Sequence, residues 1–545
     1  MSQFDAVSLG IMWDRLVSIA DEVVSTLVRT SFSLIVRENY DLSVVLLDAE
    51  GNSLAQGTYS VPSFTGTAPQ TLRHMLKKFP AHTLRPGDVI CTNDPWMGTG
   101  HLFDINVMRP VFRRDRLVGF TISVTHLPDI GGMGFSTMAR EIYHEGLRLP
   151  ICKLVEEGRL NEELLDTIRI NVRAPEQVVG DLMANLACNE VGGRQLVEFM
   201  DEYGVDDLKP LSMAIRGQCE QAMRDKLRAM RDGVYESRLE IEGASPNEPL
   251  TLKARVDKRG DAVAIDFAGT DGQIPRGINV PFCYTRAMAW YAVKCLTVPN
   301  LPNNEGATVP ISLSAPEGCI LNAQPPFPTG GRHLVGHFVA PLVMGALAEA
   351  APDFVCADPG MLNLVRMQGE RRDGRPVSTI YFAAGGFGAL SGHDGPNVTP
   401  APSNMAVSEV EVWESQTHST ILSKRLLPDS GGPGAARGGL GQEWAVRNDT
   451  GKPLAAFSLG VRTQFPARGF RGGGPGQLRS MAIDGEIVDA RADHILAPGS
   501  VATVREAGGG GFGDAKDRPS EKLRADVAEG FVTPEGALRD YGVRV

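Results

Sequence analysis

No stretch of apolar residues in this chain reaches the ~20 needed to cross a bilayer as a helix, so membrane insertion is not expected. Positive charge is scarce too. Against 65 Asp and Glu stand 54 Lys and Arg, a net charge of −11 with no basic stripe, which disfavours a nucleic-acid partner held through its phosphates. The opening Met-Ser-Gln-Phe-Asp lacks a basic segment followed by an apolar one and does not read as a signal peptide. Cysteine is sparse and scattered, eight residues with no Cys-x-x-Cys, as expected of reduced, mostly buried thiols in a cytoplasmic protein. Nucleotide motifs are missing as well. There is no G-x-x-x-x-G-K-S/T, and Asp449-Thr-Gly-Lys452 reads only as a hairpin turn. The Gly-rich segments Arg471–Pro475 and Ala507–Asp514 do not open a helix after a strand, and read as loops whose backbone passes close to something. No G-x-S-x-G nucleophile elbow occurs.

What is present is an ordinary globular composition, 42% apolar and 22% charged, in a chain of 545 residues, long enough for two to four domains. The 61 glycines and 36 prolines imply many turns and a mixed α+β fold. Apolar residues at helical spacing predict a helix over 8–36, then a strand from Asp41 to Asp48, a turn and a second short strand. A helix over 68–79 and a strand over 88–92 follow. Residues 105–124 read as a hairpin around Arg113–Arg116. Helical, charged segments occupy 161–231, and short strands follow from Gly233, with helices over 281–298 and 336–350. Gly-rich loops and alternating strands dominate after about 428. The expected organisation is a hairpin-bearing α+β domain over 1–160, a helical segment over 161–232, a mixed region over 233–428 and a β-rich C-terminal domain over 429–545.

The chemistry concentrates in two His-x-x-Asp units 25 positions apart, His101-Leu-Phe-Asp104 and His126-Leu-Pro-Asp129. The chain has ten histidines in all, so this pairing stands out. Imidazole with carboxylate suits a divalent cation doing Lewis-acid chemistry, though two histidines satisfied by neighbouring acids would show the same spacing. A plain hairpin register, 111 with 118 and 105 with 124, puts His126 on the face of Ile105, Val107 and Val124 but Asp104 on the other. Convergence on one cation then requires a bulge or the end of pairing near 103–105. Asp41, at the start of a strand, is a turn cap or a further carboxylate ligand. Asp129 is a candidate partner that fixes a ligating imidazole in its tautomer. Glu145, in Arg140-Glu-Ile-Tyr-His144-Glu145, is a loop acid or a general base.

These segments resemble the hydantoinase B/oxoprolinase family. The resemblance rests on Asn93-Asp-Pro-Trp-Met-Gly-Thr-Gly-His101-Leu-Phe-Asp104, Thr125-His-Leu-Pro-Asp129-Ile-Gly-Gly132 and Glu145-Gly-Leu-Arg-Leu-Pro150. It also rests on Asn171-Val-Arg-Ala-Pro175, Asn303-Asn-Glu-Gly306, Gly331-Arg-His333 and the Gly508–Asp514 stretch. It implies the metal-bearing subunit of an ATP-dependent enzyme, with ATP and its Mg held by a hydantoinase A-like partner in an α2β2 heterotetramer or larger assembly. It further implies a divalent metal (Mn, Zn, Fe or Co) on His101, Asp104, His126 and Asp41, with Glu145 or Asp129 moving protons and His144 carried over beside them. The implied reaction is hydrolysis of a hydantoin, lactam or 5-oxoproline-like ring. The alternative is an ATP-dependent ketone carboxylase of the acetone or acetophenone type.

Overall fold

The computed structural model describes residues 4–245, 247–352 and 354–544, which form two compact units in a mixed α+β fold. The first comprises residues up to 235 together with 255–268 and 272–336. The second comprises 236–254, 269–271 and 337–545. The expected boundaries at 160, 232 and 428 therefore fall inside these units. The reason is visible in the packing, because the helical segment 161–232 covers the hairpin-bearing sheet of 1–160.

That sheet has seven strands. They are β1 (Leu42–Asp48), β2 (Ser53–Gln56), β3 (Val89–Thr92), β4 (Asp104–Arg113), β5 (Arg116–His126), β6 (Cys152–Glu156) and β7 (Arg159–Leu160). Their order is β2-β1-β5-β4-β3-β6-β7, with antiparallel neighbours throughout. Helix α1 (Ala6–Thr30) starts where the Asp5 carboxylate accepts from the backbone N–H of Val7 and Ser8. It ends at Ser31, so the helix expected over 8–36 is two, with the short α2 (Leu34–Arg37) after the break. Helix α3 (Thr67–Lys78) and, after Asn161 caps it, α4 (Glu162–Asn171) precede the long α5 (Pro175–Glu202). Val23, Val24 and Leu27 of α1 and Ala184 and Cys188 of α5 share one apolar cluster with Leu42 and Val44 of β1.

β5 shows how the sequence positions the site. Its odd residues Thr121, Ser123 and Thr125 face α5, whose buried Asn185 and Asn189 are matched to them: Ser123 donates to Asn185 (2.6 Å), and the two amides donate to Thr125 (2.9 Å) and Ser123 (2.7 Å). Its even residues, Phe120 to His126, must then point to the opposite face. The remaining part of this unit carries α6 (Lys209–Ala229), strand Ala262–Asp266 paired antiparallel with residues 255–259 and parallel with Ile311–Ser314, and α7 (Phe282–Thr297).

The second unit is β-rich, as expected of the C-terminal part. A four-stranded sheet (Pro376–Ala384, Leu362–Glu370, Leu454–Leu459, Asp493–Leu496) and a five-stranded one (Thr420–Leu426, Gln442–Arg447, Val501–Arg505, Ser480–Ile483, Glu486–Val488) bury Val365, Tyr381, Trp413, Trp444 and Val504 in one cluster. The 508–511 glycine run is its most unusual element. Its successive N–H groups donate to Gln477, Gly439, Asp358 and Gly474, returning to the same neighbouring segment after three residues, the period of a polyproline II helix. What passes close is other backbone. A Cβ on Gly508 would lie 1.7 Å from the Ser430 carbonyl oxygen, and one on Gly510 would lie 2.1 Å from that of Arg468.

Candidate active site

Three strands bring the predicted residues into one row. Asp104 pairs directly with His126 across β4 and β5, and Leu42 pairs with Thr125 across β1 and β5. One step beyond that pair, the Asp41 carbonyl accepts the His126 N–H (3.2 Å). Directly opposed residues share a face, so Asp41, His126 and Asp104 lie side by side. The plain hairpin register, which separated Asp104 from His126, is corrected by a bulge. The tip pairs 112 with 117 and 113 with 116, but Val111 pairs with Gly119 and leaves Val118 extra. The required irregularity thus exists, seven residues from where it was expected, near the hairpin tip. It turns the whole outer part of β4 over, so Ile105 and Val107 face α5 and Asp104 and Asn106 face the site.

His101 arrives from the loop after β3. Asn93 anchors that loop by donating to Leu102 (2.7 Å) and Leu147 (2.9 Å) and accepting from Leu149 (2.6 Å). Asp94 forms a turn onto Trp96 and an ion pair with Arg148 (2.5 Å). Gly100, at φ +102°, passes so close to Arg332 that a Cβ would lie 2.7 Å from its Cδ.

His101 Nδ1 lies 2.9 Å from the Gly330 carbonyl oxygen and Nε2 2.8 Å from Asp104 Oδ1. Asp104 Oδ2 accepts from Thr99 (2.6 Å) and from Arg332 (2.5 Å), whose Nε donates to the Thr99 carbonyl (2.8 Å) and whose guanidinium lies over Tyr284. The Gly330 N–H donates to Glu145 Oε1 (2.6 Å), so the backbone of one residue, Gly330, links Glu145 to His101. Phe135 closes the cluster, its ring centroid 5.9 Å from that of His101 and 5.4 Å from that of His126.

The electrostatics of this buried site are unbalanced. Burial and the Arg332 cation hold His101 below its usual pKa. Burial, His101 and Arg332 hold His126 down to about 3. Burial pushes Asp104 up, but His101 and Arg332 outweigh it and keep the carboxyl below the usual range. Asp41 goes the other way, well above the usual range, through burial and the neighbouring Asp104 charge. Burial also drives Glu145 up to about 8, so its carboxyl carries a proton at neutral pH.

These observations test whether the residues fit a divalent cation. Gly330 O can only accept, so Nδ1 of a neutral His101 carries the proton and the Nε2 lone pair faces a carboxylate oxygen. Two acceptors at that separation repel unless a proton or cation lies between them. His126 Nδ1 is buried and has no hydrogen-bond partner, an arrangement that a bound cation would also satisfy. Asp41 and Asp104 repel across the same space. Among the described residues no three His, Cys, Asp or Glu side chains form a ready-made cluster at metal-binding separations. The protein contacts of His101 and Asp104 account for that, since both are turned toward Gly330, Arg332 and one another rather than toward a common centre. The donor set and its unpaired atoms nonetheless fit a cation held by His101, Asp104, His126 and Asp41.

Two expected residues sit elsewhere in the network. Asp129 commits both oxygens to Arg173, through its side chain (2.9 Å) and its backbone N–H, which ties together the two motifs that contain them. His144 is exposed, its Nδ1 accepting from Arg140 (3.3 Å). Sequence reasoning missed Arg332, Thr99 and Asn106. Arg332 lies within the Gly331-Arg-His333 motif, but only the fold shows it beside Asp104. Asn106 is fully buried with neither end of its carboxamide hydrogen-bonded, two residues from Asp104 on the same face.

Residues 5–515 match the model of the Hydantoinase B/oxoprolinase family. The chain belongs to that family. It is 29% identical to a putative D-/L-hydantoinase subunit of Pseudomonas sp. (strain NS671), covering 100% of this chain and 96% of that protein. Its structure superposes on that of the ATP-dependent caprolactamase from Pseudomonas jessenii with a TM-score of 0.91 at 28% identity, covering 100% of this chain and 97% of the other. An acetone carboxylase in its nucleotide-free form shares the fold at a TM-score of 0.85 and 19% identity, covering 98% of this chain and 79% of that chain. No helix among the described residues is long and apolar enough to cross a membrane.

Proposed function

We propose that this family member is the metal-bearing subunit of an ATP-dependent cyclic amidase. It opens a hydantoin, lactam or 5-oxoproline-like ring together with a hydantoinase A-like subunit that holds ATP and Mg. The observation that carries the reading is the buried row Asp41–His126–Asp104 with His101 beside it, in a chain whose relatives include a hydantoinase subunit and a caprolactamase. An unstrained lactam amide is a poor electrophile, so coupling its hydrolysis to ATP is physically sensible. The chain has no phosphate loop, and in this reading the partner subunit handles ATP.

A divalent cation (Mn, Zn, Fe or Co) held by His101, Asp104, His126 and Asp41 would supply Lewis acidity toward an amide oxygen or a water. The protein's own groups do the rest. Gly330 O fixes the His101 tautomer, and Arg332 and Thr99 fix the Asp104 carboxylate through Oδ2. Glu145, protonated at neutral pH, holds a proton across the Gly330 residue from His101 and is the candidate donor to a departing ring nitrogen. Asp129, paired with Arg173, holds its loop in place. Phe103 and Phe135, packed on the imidazoles, keep bulk water out.

The test is phosphate release by the chain with its ATP-binding partner, against a panel of hydantoins, lactams and 5-oxoproline in bicarbonate-free buffer. Ring-dependent release with the opened acid as product is expected. Release that requires a ketone and bicarbonate would replace this reading with the carboxylase one. Light scattering of the purified complex tests the α2β2 stoichiometry, and fractionation of the source cells tests a cytoplasmic location.

A further inference from the structure

Cys91 and Cys152 belong to no part of the site described above, yet they form a cluster of their own. They are direct partners across the antiparallel strands β3 and β6, with sulfurs 3.8 Å apart. Directly paired residues have Cα atoms roughly 4.5–5.5 Å apart, inside the 4.4–6.8 Å span that a disulfide accepts. Their Cβ atoms, typically 4.5–5.5 Å apart in such pairs, stand somewhat wider than the roughly 3.8 Å a relaxed disulfide prefers. A bond formed here would be under tension, as in disulfides that are easily reduced again.

The two thiols are not equivalent. Cys91 is buried and Cys152 is part-exposed at the start of β6. A hydrogen bond from Cys91, aided by the nearby Lys78 ammonium, pulls Cys152 below the usual thiol pKa against its partial burial. The same contact pushes Cys91 up. Lys78 is held there by donating to the Ile151 carbonyl (2.6 Å). One reachable attacking sulfur beside one buried resolving sulfur is the arrangement that reversible thiol oxidation needs.

We propose that Cys91 and Cys152 are a reversible oxidation site that takes a small-molecule disulfide as oxidant. The Cys152 thiolate attacks one sulfur of the oxidant, forming a mixed disulfide and expelling one thiolate. The Cys91 thiol then gives up its proton and attacks the Cys152 sulfur, forming the protein disulfide and releasing the second thiolate. Two protein thiols are oxidised, and one small disulfide is reduced to two thiols. The bond would staple the strand leading to Asn93 and His101 to the one following Glu145–Leu149. Those are the segments that Thr92 (Oγ1 to the Leu149 carbonyl, 3.0 Å) and Asn93 already clamp together.

The experiment treats the full chain with oxidised glutathione, blocks remaining thiols under denaturing conditions and maps peptides without reduction. The expected product is a single internal cross-link between the Cys91 and Cys152 peptides, about 2 Da below the reduced pair and reversed by dithiothreitol. The six other cysteines remain alkylated. In Cys91→Ala, Cys152 is instead trapped as the glutathione adduct, and Lys78→Met slows the wild-type reaction. A stable glutathione adduct on Cys152 of the unmutated chain, or no modification of the pair while other cysteines react, overturns the proposal. The wild-type map decides on its own if a variant fails to fold.

Discussion

Replacing Arg332 with Met probes the most heavily buried ion pair of the site. Arg332 and Asp104 side chains are 5% and 1% exposed, and their contact is 2.5 Å long. Removing one member of such a pair leaves a charge without its counter-ion, which costs about 3–5 kcal/mol. The lost hydrogen bond to the Thr99 carbonyl adds roughly 1 kcal/mol. Methionine keeps most of the volume over Tyr284, so the cavity contribution is small. For a unit of roughly 300 residues, unfolding entropy is on the order of 0.6 kcal/mol per degree, and the variant should melt about 7–10 °C below wild type at pH 7. The loss should shrink in acid. Asp104 has a depressed folded pKa, so the stability it contributes is present above the unfolded value near 4 and fades as pH falls. Calorimetry of chelator-treated protein at pH 7 and at about pH 3, below the unfolded carboxyl value, reads both effects. A shift under 2 °C, or the same large shift at both pH values, refutes the reasoning.

Glu145→Gln should alter pH dependence in the opposite sense. Glu145's folded pKa, about 8, lies above its unfolded value of about 4.5, so its contribution is complete in acid and is lost as pH rises through that window, by up to about 5 kcal/mol. Glutamine cannot ionise, so in chelated protein the variant's melting temperature should gain on wild type between pH 5 and pH 8; a constant difference would count against it. Gly508→Ala should prevent folding of the second unit, because its Cβ has no space beside Ser430, as circular dichroism and proteolysis would show. Gly217→Ala, at an exposed mid-helix position with nothing within 4 Å, should instead stabilise by about 0.5–1 kcal/mol in the same assays.

Much of this fold is legible in sequence because one-sided burial leaves a period. The strand pair at 42–56, helix α3, helix α7 and the strand Leu454–Leu459 appear within a residue or two of their expected limits. The hairpin Leu362–Glu370 with Pro376–Ala384 went unread, since most of its residues are buried on both faces, which erases the alternation. The terminal helices Ser520–Ala528 and Pro534–Tyr541 are short and polar, with few buried residues to mark a face. At the site, His101, Asp104, His126, Asp41 and Glu145 are all brought near one another, as spacing and family resemblance suggested. The bulge at Val118 escaped notice because an extra residue in one strand leaves no compositional trace near Arg113–Arg116. Arg332 and Asn106 escaped because an arginine separated from Asp104 by 228 positions, or an asparagine on a strand, signals nothing until the fold brings it there.

Metal analysis of the chain purified without chelator tests the central claim most directly. The account predicts about one tightly held divalent ion per chain, lost in His101→Ala and in His126→Ala while circular dichroism stays native. Wild-type protein that turns over a cyclic amide with no stoichiometric metal, or variants that keep the full complement, would contradict it.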